Sequence, residues 1–252
     1  MDMEYMKPKD IEKRSMELIE QEMRTAPPRN HAPIIKRVIH TTADFEYEHS
    51  LLISETAVGA ALQALRGGAP QKGVGKSTER NTNCENNETD EEKSVQADAA
   101  AHALSDGQPV TIVTDTNMAL SGINKGALSR LGINAVCYMA DSDVAAEAAS
   151  RGVTRAAVSM EKAARLSGHL IFAIGNAPTA LLRLKELIEK NEVSPRLIIG
   201  VPVGFVNVVE AKELVLRTDV PAIVARGRKG GSNIAACICN ALLYMMDQDR
   251  GY

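Results

Sequence analysis

The sequence predicts an α/β domain of three layers, a parallel sheet with helices on both faces, and three observations predict it. Five short apolar runs lack clean alternation, as strands buried on both faces do: VTIVTD (110–115), AVCYM (135–139), LIFAIG (170–175), RLIIGVP (196–202) and PAIVARG (221–227). Helical stretches rich in Ala and Leu separate them, at 124–131, 142–166 with a break near Gly152, 178–190 and 207–217, and a last one at 232–246 closes the series. Glycine-rich turns follow three of the five runs. The chain has 252 residues, 44% apolar and 24% charged, which is the make-up of an ordinary globular domain, so residues 1–252 are read as a single one.

Two helices precede the sheet. Asp10 is expected to cap the first, over 11–24, where Ile11, Leu18, Ile19 and Met23 fall on one stripe. Pro33 opens the second, whose Ile34, Ile35, Val38 and Ile39 form a buried face. Arg37 and His40, three apart, then share its other face. A cation beside an imidazole favours the neutral ring unless a bound anion offsets it. Taken alone, such a pair is ordinarily two surface residues on a short helix. The N-terminal stretch carries acids throughout and has no apolar run, which does not fit a signal or transit peptide. No segment approaches the roughly 18 apolar residues of a membrane span. A cytoplasmic protein without membrane contact is the expectation.

Residues 71–96, QKGVGKSTERNTNCENNETDEEKSVQ, hold two valines and no larger apolar residue. Such a segment cannot bury enough surface to offset the entropy of ordering, and it is expected to be a disordered insertion. Its GVGKST looks like a phosphate-binding loop, but Pro70 stands where that motif requires Gly, and no strand leads into it. Residues 71–98 carry seven acids and four bases, a balance of −3 that accounts for the whole net charge. The remainder is near neutral, which gives no sign of a nucleic-acid footprint. Cys237 and Cys239 are two apart on a helix and point to different faces, a poor metal pair, and Cys137 reads as a small core residue. No metal site is expected.

Ligands of parallel sheets sit beyond the carboxyl ends of the strands. There the sequence places Asp115-Thr116-Asn117-Met118, Gly175-Asn176-Ala177-Pro178, Gly200-Val201-Pro202-Val203-Gly204 and Gly227-Arg228-Lys229-Gly230-Gly231-Ser232. Three glycine-rich turns entering helix N-termini offer backbone N–H groups to anions, and they point to a polyanionic ligand.

Read together, KRVIHTTADF (36–45), TDTNM (114–118), IGNAPTALL (174–182), GVPVGFVN (200–207) and RGRKGGSNIA (226–235) resemble, in this order, the precorrin-8X / cobalt-precorrin-8 methylmutase family. The likeness runs from about residue 10 to 245 outside the insertion. It implies a flavodoxin-like fold with a five-stranded parallel sheet behind N-terminal helices. It also implies a homodimer binding a tetrapyrrole (corrinoid) at the subunit interface. The implied reaction is an isomerisation of cobalamin biosynthesis, moving a methyl group from C-11 to C-12 of precorrin-8 or cobalt-precorrin-8, with no cofactor. The resemblance makes His40 the proton donor. It makes Ser15 and Arg37 substrate contacts, and adds Arg155 of a Thr154-Arg155 pair. The strand ends supply Thr116, Met118, Asn176, Arg228, Gly230 and Ser232 as further contacts. HTTADF looks more like the branch whose substrate already holds cobalt.

The residue types suit the chemistry. A methyl shift within one conjugated ring is helped by a proton at a ring nitrogen, and histidine is the side chain suited to supply it near neutral pH. A rim of carboxylates calls for bases and helix N-termini. Two other readings stay open: a non-catalytic corrin carrier, and an enzyme of the same fold acting on another polyanionic metabolite.

Overall fold

The structure, a computed structural model, describes residues 7–68 and 107–247, so the predicted insertion at 71–96 lies outside the described residues. Helices α1 (Pro8–Glu22) and α2 (Ala32–Thr42) lead through a short α3 (Tyr47–Ser50) to β1 (Leu51–Ile53) and α4 (Ala57–Gly68). The chain continues with β2 (Val110–Thr114), α5 (Asn117–Gly122), α6 (Lys125–Arg130), β3 (Asn134–Val136), α7 (Ser142–Arg151) and α8 (Arg155–Ala164). It ends with β4 (His169–Ile174), α9 (Pro178–Glu189), β5 (Leu197–Gly200), α10 (Val208–Val215), β6 (Ala222–Ala225) and α11 (Ser232–Met246). No helix among the described residues is long and apolar enough to cross a membrane.

One sheet holds six strands in the order β1-β6-β5-β4-β2-β3. The five expected strands are parallel to one another. The sixth, β1, runs antiparallel along β6 and corrects the expected strand number. Three residues, Leu51 to Ile53, are too few to leave a readable period in the sequence. They are held by register, Leu51 opposite Ala225 and Ile53 opposite Ile223.

Side chains of the central strands alternate between two cores, which produces the three layers. In β4, Ile171 and Ala173 join a core formed with α2, α4, α5, α6 and α11, while Leu170, Phe172 and Ile174 join another under α8, α9 and α10. Both faces are apolar, which is why these strands read as continuous hydrophobic runs. On α2 the four apolar residues Ile34, Ile35, Val38 and Ile39 are all buried, leaving Arg37 and His40 on the outer face. The first helix starts earlier than expected. Pro8 opens it and Asp10 lies inside the first turn rather than capping it. A proline whose φ is already helical and whose missing N–H is not needed wins that position. Cys137 is half-buried just past β3 rather than in the core, and its thiol is pushed up, mainly by burial.

The carboxyl ends of β2 and β4 are tied by one side chain. Asp115, fully buried, accepts the N–H of Gly175 on Oδ1 at 2.8 Å and those of Asn176 and Ala177 on Oδ2 at 2.8 and 2.6 Å. Burial pushes its carboxyl up, against the pull of the three amides, which favour the carboxylate. One of the three glycine-rich turns is therefore satisfied from within the protein, not left open for a ligand. Asp115→Asn should lower the unfolding free energy by about 2 kcal/mol or more, because an amide turns two donor hydrogens toward donors and leaves buried N–H groups unmade. Urea unfolding reads this directly, and an unchanged midpoint would show the carboxylate to be dispensable.

Candidate active site

Of the residues singled out in the sequence, Arg37, Thr116, Met118 and Ser232 come together near the carboxyl ends of the strands, where α2, α5 and α11 meet. Thr116 follows β2 by two residues and caps α5, its hydroxyl accepting the N–H of Ala119 at 3.0 Å. The same hydroxyl lies 2.7 Å from that of Ser232, the first residue of α11. Glycine makes this approach possible. A Cβ on Gly175 would stand 2.7 Å from the Ser232 Cα, and one on Gly230 only 2.1 Å from the Val201 carbonyl oxygen. The turns after β4, β5 and β6 are thus packed backbone to backbone, and side chains join the turn after β2 to them.

Beside them runs a groove of about 290 Å³ lined by Arg37, Thr41, Met118, Gly122, Asn233, Ala236, Cys237 and Asn240. Met118 is 71% exposed, unusual for an apolar side chain at a helix start. Arg37 crosses from this groove into a second of about 360 Å³, between α1, α2 and α11, where Glu12, Lys13, Met16, Lys36 and Tyr244 also stand. The Arg37 guanidinium donates to Glu12 Oε1 at 2.6 Å and stacks on the Tyr244 ring, 4.7 Å from its centroid. A planar cation held on one edge by a carboxylate and on one face by a ring is fixed in direction, with donors left for a ligand. Below it, the Thr41 hydroxyl donates to the Arg37 carbonyl at 2.9 Å and lies 3.1 Å from the Cys237 sulfur. Burial is the main cause that pushes the Cys237 thiol up, so it serves as a neutral lining group.

His40 is exposed on α2, one turn beyond Arg37. Ser15 lies one turn beyond Glu12 on α1, half-buried, its hydroxyl donating to the Ile11 carbonyl at 2.8 Å. Arg228 is exposed in the β6–α11 turn, 5.6 Å from the Phe205 ring. Next to it, Lys229 donates to Asp44 and Glu46, both at 2.6 Å, which fastens this turn to the end of α2. That hydrogen bond holds the Asp44 carboxyl below its ordinary range. Asn176 is exposed beside the amides that Asp115 occupies.

Arg155 stands apart. It opens α8, on the other face of the sheet from α2, where the Thr154 hydroxyl bonds that of Thr179 at the start of α9. It reaches the same edge of the sheet, but among the described residues no hydrogen bond or ion pair joins it to the groove. Sequence reasoning also missed Glu12 and the stripe Asn233, Cys237, Asn240 and Tyr244 on α11. Spacings of four, three and four residues put these on one helical face, and that period was the available signal.

This arrangement offers an exposed imidazole beside a fixed guanidinium, hydroxyls and amides for polar contacts, and an apolar surface at Met118. Comparison with known proteins shows the family. A model of the precorrin-8X methylmutase family matches residues 10–71 and 86–245. The cobalt-precorrin-8 methylmutase of Priestia megaterium is 35% identical over 98% of this chain and 92% of its own length. That of Salmonella typhimurium is 39% identical over 85% of this chain and 81% of its own. The crystal structure of precorrin-8x methyl mutase from Thermus thermophilus superposes with a TM-score of 0.71 at 31% identity, covering 93% of this chain and 96% of that one. The chain belongs to the precorrin-8X methylmutase family, isomerases of cobalamin biosynthesis.

Proposed function

We propose that this enzyme moves the C-11 methyl group of a precorrin-8 ring to C-12, with His40 donating a proton to a ring nitrogen. The observation that carries the reading is the outer face of α2. His40 stands there one turn from Arg37, whose guanidinium is already oriented by Glu12 and Tyr244. Protonation draws electron density from the migrating centre, and a positioned donor contributes about 10²–10⁴-fold. Ser15, Arg37, Thr116, Asn176, Arg228, Gly230 and Ser232 are proposed to hold the polar rim of the substrate, and Met118 to meet its apolar plane. Arg155 joins them from the far side of the same edge. Cobalt-precorrin-8 is the favoured substrate, supported by the names of the relatives from Priestia megaterium and Salmonella typhimurium.

The parallel strands, taken alone, run β3-β2-β4-β5-β6, the 2-1-3-4-5 order of a flavodoxin-like sheet. We read the chain as one such domain, with the segment near 71–96 as an insertion in its sequence. A homodimer is proposed on the loop after β5, where Phe205 is 83% and Val206 76% exposed and Val203 is also open. Large apolar residues grouped in one loop mark an interface. A groove of about 290 Å³, at the lower bound for small-ligand pockets, also needs a second surface to enclose a tetrapyrrole.

Turnover of cobalt-precorrin-8, followed by the visible absorption change as conjugation closes, tests the reaction. His40→Asn should lower kcat by about 10²–10⁴-fold while corrin titration gives an unchanged Kd. A variant that turns over at the wild-type rate removes His40 from the mechanism, and a variant that no longer binds makes it a binding residue instead. The carrier reading would require tight product binding by the wild-type protein with no turnover.

The dimer has its own test. Val206→Asp should shift the sedimenting species from dimer to monomer, since a charge at an apolar interface is left unpaired. A wild-type protein that sediments as a monomer, with or without corrin, rules the interface out.

A further inference from the structure

The β6–α11 turn stands on a buried lysine that none of the chemistry above uses. Lys212, in the middle of α10, has no exposed surface, and its ammonium donates to the carbonyl oxygens of Gly227 and Lys229, each at 2.8 Å. The carbonyl between them, that of Arg228, accepts the N–H of Gly204 at 3.2 Å. The carbonyls of Gly227 and Lys229 are thus drawn to the buried ammonium, and the one between them is tied to the loop after β5. Arg228 turns outward over Phe205, and Lys229 turns outward to Asp44 and Glu46 at the end of α2. Further along, the N–H of Gly231 donates to Val201 and completes the fastening.

Lysine is an expensive way to satisfy two carbonyls, because a buried ammonium with no carboxylate partner is strongly desolvated. Burial pushes the amine down to about 8, so it keeps its proton at neutral pH only against that cost. A hydroxyl or amide would serve the fold more cheaply. What lysine adds is reach: one point donor at the end of a flexible stem bridges two carbonyls that flank a single residue.

We propose that Lys212 is a positioning residue for substrate binding: by pinning the carbonyls on both sides of Arg228, it directs that guanidinium to the corrin rim and holds the turn from which Lys229 reaches the segment after the helix bearing His40. The inference rests on Arg228 being a substrate contact, and the test separates the two ideas. Lys212→Met keeps the length and volume of the stem and removes the donor. It should raise the KM for cobalt-precorrin-8 about tenfold, the order of one charge-assisted contact, with kcat changed less than about twofold and a melting temperature still showing a folded protein. Arg228→Ala should raise KM similarly, and the double variant should be no worse than either single one, because the two residues act through one contact.

Arg228→Ala with a wild-type KM would mean that Arg228 is no substrate contact, and the premise falls. Arg228→Ala with a raised KM and Lys212→Met with a wild-type one would overturn the proposal itself, as would full additivity in the double variant. Lys212→Gln, which keeps a shorter N–H donor, takes the place of the methionine variant should that one not fold, and it should show a KM between those of the wild type and Arg228→Ala. If neither folds, Lys212 is a core residue and not a positioning one.

Discussion

The architecture of this end of the molecule depends on one buried carboxylate. Asp115 leaves the end of β2 and gathers the three amides that open the turn after β4. These two strands flank the point where the strand order reverses, because the chain passes from β2 outward to β3 and returns to β4 on the other side. In open parallel sheets this crevice is where ligands bind. Here the protein's own side chain fills it, satisfying the donors that would otherwise attract an anion. The consequence is a displacement of the accessible surface. The open groove lies beside the crevice, between α2, α5 and α11, where α11 is drawn in by the close passage of Gly175 under Ser232.

Much of the sheet was legible because it is buried on both sides. Runs such as LIFAI and LIIG carry no alternation, are too short for helices, and are bounded by glycine or proline. The same physics hid β1, a three-residue edge strand whose pairing partner lies some 170 positions away. It also hid what the glycine-rich turns do. Sequence counts the free N–H groups of Gly175-Asn176-Ala177, but their acceptor stands 60 residues earlier and reads only as an acid after a strand. Lys212 was invisible for a related reason: within VVEAKELV it looks like one of several charges on an amphipathic helix, until the β6–α11 turn closes over it.

The site was legible in parts, along the same division. Arg37 and His40 share a helix whose other face is solidly apolar, so their place on the outer face followed from spacing alone. Thr116 and Ser232, each beside a strand end, meet at 2.7 Å as two turns at one edge of a parallel sheet can. Arg155 shares that edge but opens a helix of the opposite layer, and no local pattern says which layer a helix joins. The stripe on α11 was obscured by its surroundings, since Asn233, Cys237, Asn240 and Tyr244 are set in one of the most buried helices of the chain. Glu12 needed two helices to be docked before its partnership with Arg37 existed.

That partnership bears on how the proposed chemistry is divided between groups. Arg37 is rigid, held by a carboxylate and a ring, and its orientation costs little further entropy when a substrate arrives. His40 is the opposite, an exposed imidazole without a hydrogen-bond partner among the described residues. General acid catalysis requires the donor within hydrogen-bond reach of the atom it protonates, and its electrostatic effect is small where water can compete. A side chain open to solvent meets neither condition within one chain. The apolar loop of Val203, Phe205 and Val206 supplies the other half of the argument, since it exposes surface that only burial can stabilise. In the proposed dimer one event would resolve both imbalances, the covering of this edge by a second protein surface with substrate between. On that proposal the fold of each chain sets the binding groups, and assembly completes the environment of His40.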